Sequence, residues 1–504
     1  MKKSKRNGSL RIKELEKYYK VFSDFIYKRS KLVIISIFVA LSTFFSLEFY
    51  YIKIWDYLVR IMDAQFFFHG GTYFEIPRAI LESVIIGLYG FFMGPFAIYG
   101  FIITATIIFF FAVYDFSRAF KIKMLLVLLI LMNPYIIFYT MQAGSELMVF
   151  SFLILFVAEI KRGRPFYAGL FFVLAFLSKY YAIFFLILAL FLINKDLKKS
   201  LEKILIFIGS GLLFISPYFT YNLIFFHNFI YSFASSIKEN AGGGLVPMLP
   251  SNFLSLMMEF SFLAAVIVII VIRSLLFKSK QNSTMHWISF KNKGLMLLIV
   301  AFLIGAYIFG ISAHSLGGGY RFILGAVIFS TLIVSLALNK RDSGWMFALA
   351  VIGIIFAVFI LMSFADDGHI NKVDVQNAIS LLRSVYNTTN CTVQSNDWVE
   401  LNYYGLSATY PLYNASANTE YPILNFGPVN TSYPLIKEEN NVYLYGYSTC
   451  KYTPPIKLPG YFYYRINQSR ADPELACSYI SERTFNFAGK VCNDINNLFL
   501  RLVN

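Results

Sequence analysis

Apolar positions run in long, nearly unbroken blocks through about the first 365 residues, then give way to a mixture of polar and aromatic positions. The blocks at 32–51, 96–114 and 254–276 each hold about 18 or more apolar residues, enough as helix to cross a hydrocarbon core of about 30 Å. Residues 79–93 are equally apolar but only about 22 Å long as helix, and Gly94-Pro95 follows. They read as an interfacial or juxtamembrane helix. Two runs, 124–139 and 147–160, flank the short turn TMQAGSE. The stretch from 165 to 194 is interrupted by Ser178-Lys179-Tyr180-Tyr181, which predicts two half-length helices, 166–177 and 182–194, with SKYY at their tip. Half-length helices persist in a membrane only when buried by protein or lining a wet cavity. A run at 204–221 precedes a long loop containing Ala241-Gly242-Gly243-Gly244, and further spans are expected at 254–276, 294–312, 322–339 and 345–364. Beyond 366, patterns such as NVYLYGYSTC and YFYYRI predict strands.

Composition agrees with this division. Of the 504 residues, 58% are hydrophobic and 14% charged, against about 25% charged in an ordinary soluble domain. The chain reads as a polytopic α-helical membrane protein. The formal charge of +16 resides in short loops between apolar runs: 2–6, 28–31, 118–123, 161–164, 195–203, 278–293 and 340–341. That is the pattern of a cytoplasmic face under the positive-inside rule. It offers no soluble basic domain to hold a nucleic acid, so none is expected as a partner. The first apolar run is not a cleavable signal, since no small-residue cleavage site follows it.

The last quarter has a different chemistry. All four cysteines, Cys391, Cys450, Cys477 and Cys492, lie there, which predicts two disulfides with three possible connectivities. Glycosylation sequons begin at Asn387, Asn390, Asn414, Asn430 and Asn467. Both features belong to an extracytoplasmic compartment. A cytoplasmic N-terminus and an outer C-terminus require an odd number of crossings, and eleven satisfy the charge pattern. The expected organisation is a basic cytoplasmic segment (1–31), a transmembrane domain with juxtamembrane helices in its first outer loop (32–365), and an extracytoplasmic α+β or mostly β domain (366–504). The sequons and compact length favour an archaeal-type plasma membrane over an endoplasmic reticulum.

Mapped onto that topology, Asp56, Arg60, Asp63, His69, Glu75, Arg78, Glu146, Lys179, His227, Lys238, His314 and Arg321 collect on the outer side. Charges beside apolar segments are costly and call for a function. Arg78, Lys179 and Arg321 sit at the ends of three different apolar segments, at the depth of a lipid phosphate, although snorkelling to the interface is the simpler account of each one. Asp56, Arg60 and Asp63 fall on one face of a helix, where an internal ion-pair ladder is the simpler account. Glu75 and His227 form a carboxylate and imidazole pair of the kind that ligates a divalent ion.

In their order, WDYLVRIMDAQFFFHGG, YFEIPRAIL, NPYIIFYTMQAGSELMVF, GLFFVLAFLSKYYAIFFLILALFL, SPYFTYNLIFFHNFIYSF and GGGYRFILGAVIF resemble the GT-C superfamily of polyprenyl-phosphate-sugar glycosyltransferases. The likeness covers about residues 32–340 and is nearest to the protein O-mannosyltransferase and aminoarabinose-transferase branch. It implies that Asp56 and Glu146 are catalytic, that Arg78, Lys179, Tyr180 and Arg321 bind the donor phosphate, and that Glu75 and His227 hold a metal ion or contact substrate. The family often carries Asp-Glu where this chain has Asp56-Tyr57, and Thr-Asp where it has Ser145-Glu146. The expected donor is a polyprenyl (dolichyl-type) phosphate sugar, and the acceptor a protein, lipid or glycan hydroxyl. A transporter or flippase for a lipid-linked or anionic solute is the alternative. It would favour related halves and charges at mid-membrane depth, whereas this chain shows no internal repeat and its charges lie at the rim. An adhesion or sensor protein would leave Asp56, Lys179 and Arg321 without a role.

Overall fold

The computed structural model describes residues 18–52, 55–70, 78–142, 146–193, 196–240, 264–268, 293–312, 323–364, 370, 372–388, 391–409, 421–431, 433–446, 450, 477–478 and 486–503. It is mostly helical, with a small C-terminal sheet. Among the described residues, five stretches are long and apolar enough to cross a membrane, or six if a bent pair is counted as one span. The expected span 254–276 lies outside the described residues apart from 264–268.

Helix α1 (Ser30–Tyr51) leads into α2 (Trp55–Phe68), a 14-residue helix. Helices α3 (Leu81–Met93) and α4 (Ala97–Phe120) follow. The Tyr89 and Thr104 hydroxyls hydrogen-bond at 2.6 Å across 15 residues. Along one straight helix those positions would stand about 22 Å apart, so the chain folds back between α3 and α4. Gly94 permits the reversal with φ +54°, a backbone region that L side chains rarely adopt. A 13-residue helix thus lies within 79–93, and Leu81–Phe120 together make one of the apolar stretches long enough to cross a membrane. Helix α3 packs alongside α2, with Gly87 against the Phe68 ring and Gly90 against His69.

Helices α5 (Met124–Leu131) and α6 (Pro134–Gln142) are bent by 78°. The single run expected over 124–139 is therefore broken. Pro134 lacks an N–H and its ring cannot follow the preceding turn of an α-helix, while Asn133 accepts a hydrogen bond from the Tyr135 amide at 3.0 Å. Helix α7 (Glu146–Arg162) is the most deeply enclosed element, buried from Glu146 to Ile160.

Helix α8 (Pro165–Ser178) ends at Lys179, whose extended backbone (φ −152°, ψ 128°) breaks the winding. The chain continues as a 13-residue 3-10 helix, Tyr180–Leu192. Both short arms expected on either side of SKYY are present, the second wound as a 3-10 helix instead of an α-helix. At about 2.0 Å per residue the arm is about 26 Å long, against about 20 Å as α-helix. Its burial follows the threefold winding: Ala182, Phe185 and Leu188 are buried, whereas Ile187, Leu190 and Ile193 are exposed.

Helix α9 (Leu197–Phe226) opens on an Asp196 cap, whose side chain accepts from the Lys199 amide. Helix α10 (Tyr231–Asn240) follows, then α11 (Lys293–Ser312), α12 (Leu324–Ser335) and α13 (Ser343–Phe364). Helices α11 and α12 approach so closely that a Cβ on Gly305 would meet the backbone of Gly325 and Ala326. Helix α13 exposes Ile352, Ile355, Phe356, Phe359 and Met362, an apolar surface too large for water contact in a soluble monomer. The protein is membrane-embedded.

The C-terminal part begins with α14 (Lys372–Tyr386). It contains β1 (Val393–Gln394), α15 (Trp398–Tyr403), β2 (Ala408–Thr409), β3 (Ile423–Phe426), β4 (Leu435–Glu439) and β5 (Val442–Tyr445), and ends with α16 (Asn486–Val503). The sheet order is β2-β1-β3-β5-β4, parallel where β1 meets β2 and β3 and antiparallel elsewhere. This is an α+β arrangement. NVYLYGYSTC supplies β5, as predicted, whereas YFYYRI lies outside the described residues. Cys391 pairs with Cys450 and Cys477 with Cys492, which selects one of the three connectivities.

Candidate active site

Chain breaks, rather than helix middles, carry the charged residues that converge. Asp56 stands in the first turn of α2, Arg78 just before α3, Glu146 at the first residue of α7, and Lys179 at the turn between α8 and the 3-10 helix. A carboxylate in the first turn of a helix is favoured by the helix dipole, which suits both Asp56 and Glu146.

The four residues form two ion pairs. Arg78 bonds Asp56, and the Lys179 ammonium lies 3.2 Å from Glu146 Oε1. In each pair the cation is the more open partner: Arg78 is 22% exposed against 7% for Asp56, and Lys179 14% against 1% for Glu146. An anion approaching from solvent therefore meets a cation first. The Tyr180 hydroxyl donates to the Arg78 carbonyl at 3.0 Å, and the Tyr218 hydroxyl donates to the Tyr180 oxygen at 3.0 Å. These bonds tie α9 and the hairpin tip to the Arg78 segment. The Arg78 guanidinium also lies over the Trp55 ring, 5.9 Å from its centroid, a cation–π arrangement.

Arg60 takes a different partner from the one its spacing suggests. Its Nη1 donates to Glu82 Oε2 of α3 at 2.6 Å, with both side chains buried. The pair joins α2 to α3. Glu82, Tyr218 and the buried Glu48 of α1 have no role in the sequence reading. A lone carboxylate inside an apolar run was the available signal for Glu48 and Glu82. Tyr218, one aromatic among many, had none.

Five expected site residues are thus brought together: Asp56, Arg78, Glu146, Lys179 and Tyr180. Glu75 and Arg321 lie outside the described residues, as do Lys238's side chain, His314, Asn390, Asn414 and Asn467. His227 caps α9 with φ +54° and is exposed. Its carbonyl accepts from Asn496 of α16 at 3.4 Å, and it stands about 13 Å beyond Tyr218 along the helix axis. Among the described residues no group of three or more His, Cys, Asp and Glu side chains forms a metal site. His69 is engaged within the α2–α3 contact, its Nε2 3.3 Å from the Gly87 carbonyl. Asn387 and Asn430 are exposed, as a glycan acceptor must be.

No protein-family model matches the chain, and no curated protein or solved structure was found to match it.

Proposed function

We propose that this protein is an inverting glycosyltransferase that moves a sugar from a polyprenyl-phosphate donor to an acceptor hydroxyl at the outer membrane face. The observation that carries this reading is the convergence of two carboxylate–cation pairs, Asp56 with Arg78 and Glu146 with Lys179, at the ends of apolar segments. Eleven crossings, with a cytoplasmic N-terminus and an outer C-terminal domain, complete the proposed topology.

A lipid phosphate presents at this depth the anion that Arg78 and Lys179 are suited to receive. Without donor, each cation is neutralised by its own carboxylate. When the phosphate arrives, the cations exchange partners, and Asp56 is released to act as general base. The acceptor oxygen attacks the anomeric carbon, the bond from that carbon to the phosphate oxygen breaks, and the electron pair leaves with the phosphate. Asp56 takes the acceptor's proton. Arg78 and Lys179 stabilise the charge on the departing phosphate, and Tyr180 and Tyr218 hold the Arg78 segment in register. A single displacement inverts the anomeric centre. Glu75, His227 and Arg321 remain part of the proposed site, with a divalent ion on Glu75 and His227 as one arrangement of it.

The test is sugar transfer by purified protein from a panel of radiolabelled polyprenyl-phosphate sugars. Wild-type turnover is expected, abolished in Asp56→Asn with donor binding retained and weakened at the binding step in Lys179→Ala. If no donor binds and both variants behave as wild type, the transporter reading takes its place.

A further inference from the structure

Helix α2 has two faces with different neighbours. Trp55, Leu58, Val59 and Met62 follow the i, i+3, i+4, i+7 spacing of one helical face. Leu58, Val59 and Met62 lie in one hydrophobic cluster with Val375, Leu381, Trp398 and Leu401 of the C-terminal part. On another side of α2, Tyr57 and Ala64 belong to the core of the transmembrane part. The helix that carries Asp56 in its first turn is therefore a shared element of both cores.

The contact at its first turn is specific. The Trp398 ring, at the start of α15, meets the Trp55 ring edge-on with centroids 6.0 Å apart. Trp55 in turn lies under the Arg78 guanidinium, and Arg78 bonds Asp56. The sequence of contacts runs from the C-terminal sheet domain through two indoles and one guanidinium to the proposed base.

We propose that Trp398 is a positioning residue: by bracing Trp55 from the C-terminal domain it fixes where Arg78 holds the Asp56 carboxylate. This inference rests on the transferase reading and adds to it a task for the C-terminal domain. A displacement of about 1 Å in a reacting group costs about a hundredfold in rate, and removing an indole from this stack leaves room for such a displacement.

The experiment compares full-length wild type, Trp398→Ala, Trp398→Phe and Leu401→Ala in lipid nanodiscs, measuring kcat, acceptor KM, donor Kd and the unfolding midpoint. Leu401 is fully buried in the same cluster and serves as a control for loss of core stability. The expected result is a fall in kcat of about a hundredfold for Trp398→Ala, with acceptor KM and donor Kd within about twofold of wild type. Trp398→Phe, which keeps an aromatic edge against Trp55, recovers most of the rate, and Leu401→Ala lowers the midpoint while retaining kcat. The proposal is overturned if wild type turns over and Trp398→Ala raises KM alone or changes nothing, or if Leu401→Ala loses kcat equally. An inactive wild type removes the transferase reading and this inference with it.

Discussion

Helix α7 carries a charged cluster at each end, and the two are built differently. At its last turn Arg162 is enclosed by acceptors: Nη1 bonds both Asp115 oxygens at 2.6 and 2.8 Å and Glu159 Oε1 at 2.5 Å, while Nη2 bonds the Asp115 carbonyl at 2.9 Å. These partners come from α4 and from the last turn of α7, two closely packed helices. At its first residue Glu146 meets Lys179 at 3.2 Å, from a chain turn. The first arrangement engages both terminal nitrogens of a planar fork and joins two helices. The second leaves a point charge on a four-carbon stem that can change partner. A charged cluster beside a membrane core is therefore read by how its donors are used, since net charge alone does not separate a strut from a site.

The largest expected effect lies at the strut. Arg162→Met leaves Asp115 and Glu159 without a counter-ion; Arg162 is 18% exposed, so the loss falls below that of a fully buried pair, at about 2 kcal/mol of stability. Thermal unfolding in lipid should register the loss while the folded fraction still binds donor. A smaller stability effect, but a larger functional one, is expected at the other end. Glu146→Gln removes the charge but keeps an amide oxygen that can still accept from Lys179, so stability should change by about 1 kcal/mol. Turnover should nevertheless fall by about a hundredfold, the lower end of the contribution of an acid–base group. Equal stability losses at the two ends would erase the distinction.

The smallest effect concerns the C-terminal domain. Burial pushes the Asp397 carboxyl above its ordinary range, and Glu400 is raised by burial and by the nearby Asp397 charge. Below the ordinary carboxylate range both are protonated whether folded or not. As pH rises above it, the unfolded chain ionises first, so the folded domain loses stability until the raised values are passed. Denaturant unfolding at pH 4 and pH 7 should show that decline in wild type and a shallower one in Asp397→Asn.

Much of the architecture was legible before any coordinates. Block length marked the apolar spans, Gly94-Pro95 marked the reversal before α4, and Lys179 marked the tip of a hairpin because a lysine cannot continue an apolar helix through hydrocarbon. The 3-10 winding of Tyr180–Leu192 was not legible, since every residue there is apolar or aromatic and periodicity has no contrast to report. The bend at Asn133 was signalled by Pro134 but outweighed in the reading by the apolar run around it. In WDYLVRIMDAQFFF the charges at 56, 60 and 63 drew attention to one face, while the apolar set at 55, 58, 59 and 62 held the information about the C-terminal domain.

By itself, the sequence determined that this chain enters a membrane, where its charges would be concentrated, and that its cysteines would be available for pairing. Those properties follow from local composition and from the cost of placing charge in hydrocarbon. Only the tertiary structure decided which charges meet. Arg60 could have paired along its own helix and pairs across to Glu82; Arg78 and Lys179 each found a carboxylate far away in the chain. Partner choice depends on the packing of whole helices, which sets distances of a few ångströms between residues that no local pattern connects.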